Sequence, residues 1–138
     1  MQKIMGIDYG DARTGVAISD LLCSIVGSTC VVPSRNTEKA IIDIVKLAKD
    51  NLVGEIVVGL PKNMDGSEGA SADKIRAFAE LLRPMTEAEI VFLDERVSTM
   101  AAHRILNMTD TRGQKRKDVV DTLSAEIILQ NYLDKNSN

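Results

Sequence analysis

The sequence predicts an α/β fold with a five-stranded mixed sheet that carries helices on both faces. Three observations support this prediction. Two near-continuous apolar runs, 4–7 and 55–60, are typical of strands covered on both sides. Two other segments have apolar residues at helical spacing. Strands follow one another in the first third of the chain and alternate with helices afterwards, as in a sheet that mixes antiparallel and parallel pairs.

The predicted elements follow the order β-β-β-α-β-α-β-α-α. The strands are 3–8, 14–19, 28–32, 55–60 and 89–93. One helix has Ile41, Ile44, Val45, Ala48 and Leu52 on its apolar face, the next has Ala72, Ile75, Ala79 and Leu82, and the last two cover 98–107 and 119–133. Asn36 or Thr37 is the expected cap of the first helix. A leading hairpin followed by right-handed crossovers is the pattern of a ribonuclease H-like fold.

Length and composition predict one domain covering 1–138. Apolar residues make up 44% and charged residues 27%, which is typical of a globular protein rather than a disordered one. No run approaches the roughly 20 apolar residues of a membrane span, and the N-terminus has no signal-peptide pattern. Cys23 and Cys30 are too few for a disulfide framework. We therefore expect a cytoplasmic protein with reduced thiols.

Charge is unevenly placed along the chain. A net charge of −3 argues against a protein that coats nucleic acid generally. Arg112, Lys115, Arg116 and Lys117 nevertheless form a basic run, which is either a solvated loop or a local phosphate-binding patch. With 3% aromatic residues and no Trp, extended base stacking is not expected. Any nucleic acid would be held mainly through its phosphates.

Acidic residues stand where the fold would bring them together. Asp8 ends the first strand, Asp94 and Glu95 end the fifth, and Asp118 and Asp121 share one face of the last helix. Each has an ordinary alternative, in a turn, on a strand end or at a helix start. Because ligands gather at the carboxyl ends of parallel strands, the acids together could form an oxygen cage for Mg²⁺ or Mn²⁺. Such a cage suits hydrolysis of phosphodiester bonds.

Two arginines are candidate phosphate ligands beside these acids. Arg13 lies in the first hairpin and Arg96 follows Glu95, and a guanidinium binds phosphate oxygens bidentately. For each arginine, an ion pair with a neighbouring carboxylate is an equally good interpretation. His103 is the single histidine, and the chain shows no Ser-His or Cys-His pattern, so no covalent nucleophile is predicted.

Four ordered blocks carry a resemblance to a known family. They are GIDYG (6–10) with RTGVA (13–17), VGLPKNMDG (58–66), DERVST (94–99), and KDVVD (117–121) running into Ser124 and Ala125. Together they resemble the YqgF (RuvX) family, small bacterial relatives of the RuvC Holliday-junction resolvase. The resemblance covers almost the whole chain.

The resemblance implies a metal-dependent nuclease that processes the 5′ end of precursor 16S ribosomal RNA in ribosome biogenesis, with Mg²⁺ or Mn²⁺ as cofactor. By motif, Asp8, Glu95 and Asp121 match the catalytic and metal-binding positions. Asp118 departs from the pattern, since relatives more often have a basic residue there. The expected substrate-binding residues are Arg13, Arg96, Lys115, Arg116 and Lys117.

Three alternatives remain open from the sequence. Cleavage of branched DNA, as by the resolvases, would need a symmetric dimer. A nucleotide-binding module is the second, since actin-like ATPases and sugar kinases share the phosphate-loop hairpin, although they pair two such domains. A non-catalytic ribosome-assembly factor is the third, and three clustered acids facing phosphate argue against it. We expect a nucleic-acid partner, no membrane association, and a monomer or weak homodimer.

Overall fold

The computed structural model describes residues 2–62, 67–94 and 113–136, the last segment with its backbone throughout and its side chains from residue 122. The strands are β1 (Lys3–Asp8), β2 (Arg13–Ser19), β3 (Val26–Pro33), β4 (Val53–Leu60) and β5 (Glu89–Asp94). The helices are α1 (Thr37–Asp50), α2 (Ala70–Leu82) and α3 (Gly113–Lys135). A single 3₁₀ turn, Arg83–Met85, follows α2.

All five strands belong to one mixed sheet with the order β3-β2-β1-β4-β5. β1 pairs antiparallel with β2, and β2 pairs antiparallel with β3. On the other side β1 pairs parallel with β4, and β4 pairs parallel with β5. The predicted mixed sheet, with its leading hairpin and parallel crossovers, is confirmed.

The two faces of the sheet bury separate cores, because side chains alternate along each strand. Met5 and Ile7 of β1 point into the larger core, beneath α1 and α2. Ile4 points to the opposite face, where Ala17 of β2 packs with α3 residues Ala125, Leu129 and Leu133. Helices therefore cover both faces of the sheet, as predicted.

The first helix begins as predicted and ends earlier. The side chain of Asn36 accepts a hydrogen bond of 3.1 Å from the backbone N–H of Lys39, and this bond caps α1. Ile41 and Ile44 are buried. The inclusion of Leu52 in the apolar face was wrong, because the helix ends at Asp50 and Leu52 has a left-handed φ of 56°. Its side chain is 64% exposed.

The last helix starts earlier than predicted. It begins at Gly113 rather than at residue 119, so residues 113–117 of the basic run are helical and not a loop. Lys and Arg are good helix formers, and a charged run does not by itself stop a helix. The predicted helix 98–107 lies outside the described residues. Within the described ranges, no helix is long and apolar enough to cross a membrane.

Candidate active site

Asp8 lies at the carboxyl end of β1, on the face covered by α3. It is half-buried and pairs with Gly15 of β2. Gly6, two residues earlier, fixes the face, since an added Cβ there would lie 2.7 Å from Leu129 Cβ and 3.1 Å from the Ala125 carbonyl oxygen. Residues two apart on a strand share a face. Asp8 therefore points to the side of the sheet on which α3 packs.

The direction of α3 brings its first half toward Asp8. Ile4 packs in the cluster that holds Leu129 and Leu133, whereas Gly6 contacts Ala125 as well as Leu129. β1 and α3 therefore run in opposite directions along this face of the sheet. From Gly6 to Asp8 the strand advances about 6.6 Å. The backbone of Asp121, one turn before Ala125, lies about 6 Å further back along the helix and so near the level of Asp8.

Arg13 shares this face and this end of the sheet. It is the first residue of β2, two residues before Gly15, which pairs with Asp8. Ala17, two residues further on, belongs to the core beneath α3. Because residues 13, 15 and 17 alternate with those that face α1 and α2, Arg13 projects to the side of Asp8. The structure thus places an acid and a guanidinium on one face.

The turn between β1 and β2 is held in a fixed shape. A side chain at Gly10 would overlap the carbonyl oxygen of Arg13, so the close approach of the two strands requires glycine. Two residues with buried hydroxyl groups contact the backbone of the turn and stabilise it. The Ser34 hydroxyl donates to the Gly10 carbonyl at 2.5 Å, and the Gly10 N–H lies 3.5 Å from Thr14 Oγ1. The Tyr9 ring stacks on Phe78 with centroids 4.4 Å apart.

Asp94 ends β5 on the opposite face. It pairs with Leu60, and four residues earlier along both strands the paired Ile56 and Ile90 belong to the core beneath α1 and α2. The exposed Asp94 carboxylate therefore projects away from the α3 side, where Asp8 lies. Of the acidic pair at this strand end, only Glu95 remains as a candidate partner for Asp8. Glu95 lies outside the described residues.

The loop after β4 borders a shallow cleft at the start of α2. Lys62 is half-buried and lines the cleft with Pro61, Gly69 and Ser71. A second small cleft beyond it is lined by Tyr9 and Lys74, and the Lys74 ammonium lies 3.1 Å from the Asp11 carboxylate. Both clefts are lined by Ser71 of α2, and the second also borders the hairpin. They provide cationic groups near the carboxyl ends of the parallel strands.

A third group of polar residues lies at the other end of the α3 face. Glu55 of β4 pairs with Glu89 of β5, so two carboxylates stand side by side. Tyr132 of α3 lies near both of them. Burial, then the neighbouring Glu55 carboxylate and the charge of Glu89, raise the pKa of Tyr132 to about 12. The phenol therefore stays protonated beside the acidic pair.

The predicted site residues divide into three sets. Asp8 and Arg13 are described and share one face, whereas Glu95 and Arg96 lie outside the described residues. The backbone of Asp121 and of the basic residues Lys115, Arg116 and Lys117 lies in α3. In the described part of the chain, no three His, Cys, Asp or Glu side chains are close enough to hold a metal ion.

Two residues of the sequence blocks have structural roles that sequence reasoning did not predict. Gly6 sets the distance between β1 and α3, and the signal was a glycine inside an apolar strand. Ser124 is fully buried in α3, and its hydroxyl finds no hydrogen-bond partner among the described residues. The block that contains Ser124 gave no sign of this burial.

The arrangement has the fold of the resolvase class. T. thermophilus RuvC in complex with Holliday junction substrate superposes with a TM-score of 0.64 at 10% identity, over 99% of this chain and 96% of that chain. The Fowlpox virus resolvase in complex with its substrate Holliday junction DNA gives 0.56 at 10% identity, over 97% and 98%. At such low identity the likeness establishes the fold alone, which is ribonuclease H-like.

The sequence places the chain more narrowly: it belongs to the RuvX family, described as Holliday junction resolvase, which it matches over residues 2–135. A relative from Clostridioides difficile (strain 630) is 43% identical over 132 residues, which are 96% of this chain and 94% of the relative. One from Halothermothrix orenii is 44% identical over 133 residues, 95% and 94% of the two chains. Both relatives are named "Putative pre-16S rRNA nuclease".

Proposed function

We propose that this protein is a metal-dependent nuclease that hydrolyses phosphodiester bonds at the 5′ end of precursor 16S ribosomal RNA in the cytoplasm. One observation carries the proposal. Asp8 and Arg13 share the α3 face at the carboxyl end of β1, and α3 brings the backbone of Asp121 near the same level. An anion-binding guanidinium beside carboxylates is the combination that a phosphodiester substrate and a cation require together.

The proposed metal ligands are Asp8, Glu95 and Asp121. Carboxylate oxygens are hard donors that suit Mg²⁺ or Mn²⁺. Asp8 fits this role, since it is half-buried at an accessible strand end and the turn after it is held by Ser34 and Thr14. When bound, such cations activate water and stabilise the leaving oxygen of the phosphodiester.

The chain's own cations would position the substrate. Arg13 lies on the face of Asp8 and would hold a non-bridging phosphate oxygen next to the reacting one. We also propose Arg96 and the basic residues Lys115, Arg116 and Lys117 as phosphate contacts. The start of α3 carries the last three, and α3 approaches Asp8 from that end. Contacts to phosphates position a nucleic acid without reading its sequence.

The RNA substrate follows from the relatives rather than from the structural neighbours. Relatives at 43% and 44% identity are named for precursor 16S rRNA, whereas the junction-bound resolvases are 10% identical. Branched DNA is the second candidate, because the family description names the Holliday junction. The same metal chemistry would serve both substrates.

The test compares the two substrates directly. Labelled precursor-rRNA 5′-end fragments and four-way DNA junctions are incubated with the protein in Mn²⁺, Mg²⁺ or EDTA, beside Asp8→Asn and the control Asp11→Asn. Asp11 is exposed in the same turn, and its carboxylate pairs with the Lys74 ammonium. We expect metal-dependent RNA cutting by wild type and Asp11→Asn and none by Asp8→Asn.

Other outcomes overturn parts of the proposal. Cutting of junctions but not of RNA would establish the DNA candidate. Cutting that survives Asp8→Asn would remove Asp8 from the site. A wild-type protein that cuts neither substrate would contradict the nuclease proposal and favour an assembly factor.

A further inference from the structure

β3 lies at one edge of the sheet. Within the described ranges, no strand pairs with its outer side. From Leu21 to Pro33 the sequence contains no charged residue. Soluble proteins usually place charges on an edge strand, since its unpaired N–H and C=O groups can pair with another chain. The opposite edge, β5, begins with Glu89 and ends with Asp94, which makes β3 the edge suited to pairing between molecules.

The hairpin that leads into β3 exposes apolar side chains from a fixed backbone. Three of them are more than half exposed: Leu21 (53%), Leu22 (71%) and Ile25 (59%). The Asp20 carboxylate accepts hydrogen bonds from the backbone N–H groups of Ser24 (2.9 Å) and Ile25 (3.3 Å). Gln130 of α3 donates to the Ser24 carbonyl at 3.1 Å and accepts from the N–H of Val26 at 3.3 Å. A partner would therefore meet this apolar tip already ordered.

A cleft follows the same edge on the α1 side. Its volume is about 410 Å³, and it is lined by residues 30–33 of β3 and by one face of α1. That face carries charges of both signs, with Lys46 between Asp43 and Asp50 at helical spacing. A face of this kind is complementary to itself, because a two-fold rotation can bring Lys46 opposite an acid.

We propose that two copies of this chain associate through antiparallel pairing of their β3 strands. A two-fold axis would pass through the β3–β3 contact and join the sheets into one of ten strands. Each apolar tip would lie beside the Pro33 end of the partner strand, and the two α1 clefts would merge. A second copy is the fitting occupant, because the edge is uncharged and the flanking α1 face carries charges of both signs that can pair across a two-fold axis.

The test is the oligomeric state of the full chain by sedimentation velocity over about a hundredfold range of concentration. We expect a concentration-dependent dimer. Thr29 is exposed in the middle of β3, and Thr29→Lys would bring two like charges together at the contact. We expect this variant to raise the dimer dissociation constant at least about tenfold. Ala77→Lys adds the same charge on exposed α2 and should dimerise as wild type does.

A second variant tests the α1 flank independently of β3. Lys46→Glu would make the flanking face wholly acidic, so dimerisation should weaken and should be partly restored by added salt, which screens the repulsion. Circular dichroism of each variant reports whether it is folded. A wild-type protein that stays monomeric at every concentration would overturn the proposal. So would a dimer that folded Thr29→Lys and Lys46→Glu both leave unchanged.

Discussion

Carboxylates face α3 from opposite ends of the sheet, and the two ends differ in the side chains that surround these acids. At the amino ends of β4 and β5, Glu55 and Glu89 lie side by side and Tyr132 of α3 lies near them. At the carboxyl end of β1, Asp8 follows an apolar strand and precedes a glycine turn, with Arg13 on its face.

The difference shows that clustered acids alone do not define a site. At the first end, a phenol that remains protonated lies near Glu55 and Glu89. At the second end, Asp8 precedes a glycine turn and shares its face of the sheet with the Arg13 guanidinium. We therefore expect substitutions at the Asp8 end to change activity, and substitutions at the Tyr132 end to change stability alone.

The largest effect is expected for Asp8→Asn. Removal of a metal-binding carboxylate should lower the rate of RNA cleavage at least about a hundredfold, while unfolding by denaturant changes little. Glu89→Gln removes one carboxylate from the other end and should cleave at the wild-type rate. An equal loss of cleavage rate in both variants would show that the two ends of the sheet do not differ in function.

Gly6→Ala should have the second-largest effect. The new Cβ would lie 2.7 Å from Leu129 Cβ, so β1 and α3 must separate, at a cost of about 1–3 kcal/mol in the free energy of unfolding. Activity should fall as well, because Asp121 moves away from Asp8. Gly27→Ala is the control, since its nearest neighbours would be 3.4 and 3.5 Å away. If the two variants unfold alike, the close packing of α3 on β1 is not as described.

Arg13→Lys should have a moderate effect on activity. It keeps the positive charge and loses the bidentate geometry, so kcat/KM for RNA should fall about tenfold, which corresponds to about 1.4 kcal/mol. Arg83→Lys changes an exposed arginine that pairs with Glu80 and should leave kcat/KM unchanged. An Arg13→Lys variant as active as wild type would show that Arg13 is not a phosphate clamp.

Tyr132→Phe should have the smallest effect and act on stability alone. Loss of the hydroxyl, which lies near the Glu55 carboxylate, should cost about 1 kcal/mol in the free energy of unfolding at pH 7. Because folding raises the pKa of Tyr132 from its ordinary value of about 10 to about 12, its contribution is complete below pH 10. That contribution disappears as the pH rises through 12.

Unfolding measurements at increasing pH test this predicted loss of stabilisation. The difference in stability between wild type and Tyr132→Phe should shrink between pH 10 and 12. The chain has two Tyr and no Trp, so tyrosinate absorbance of the two proteins gives the titration of Tyr132 by difference. A midpoint near 10 would contradict the burial of this phenol.

Sequence patterns predicted the sheet well because apolar runs and turns are local signals. Asp8 falls at the end of β1 and Asn36 caps α1, both as predicted. Leu52 was misplaced because spacing cannot show where a helix stops. The start of α3 was placed too late because a basic run was taken for a loop.

The site was less predictable because it depends on which faces meet. Strand alternation separates Asp94 from Asp8, but only the register between β4 and β5 fixes their relative faces. Tyr132 and Glu55 are neighbours in space but 77 positions apart in sequence, so their proximity leaves no local signal. The roles of Asp8, Glu95 and Asp121 stay predictions.

The most direct test of the difference between the two ends is Mn²⁺ binding measured by calorimetry on wild type, Asp8→Asn, Asp121→Asn and Glu89→Gln. We predict that wild type and Glu89→Gln bind Mn²⁺ alike, and that Asp8→Asn and Asp121→Asn each lose binding at least about tenfold. Binding that survives Asp8→Asn and Asp121→Asn but is lost in Glu89→Gln would place the metal at the wrong end of α3 and contradict the proposed site.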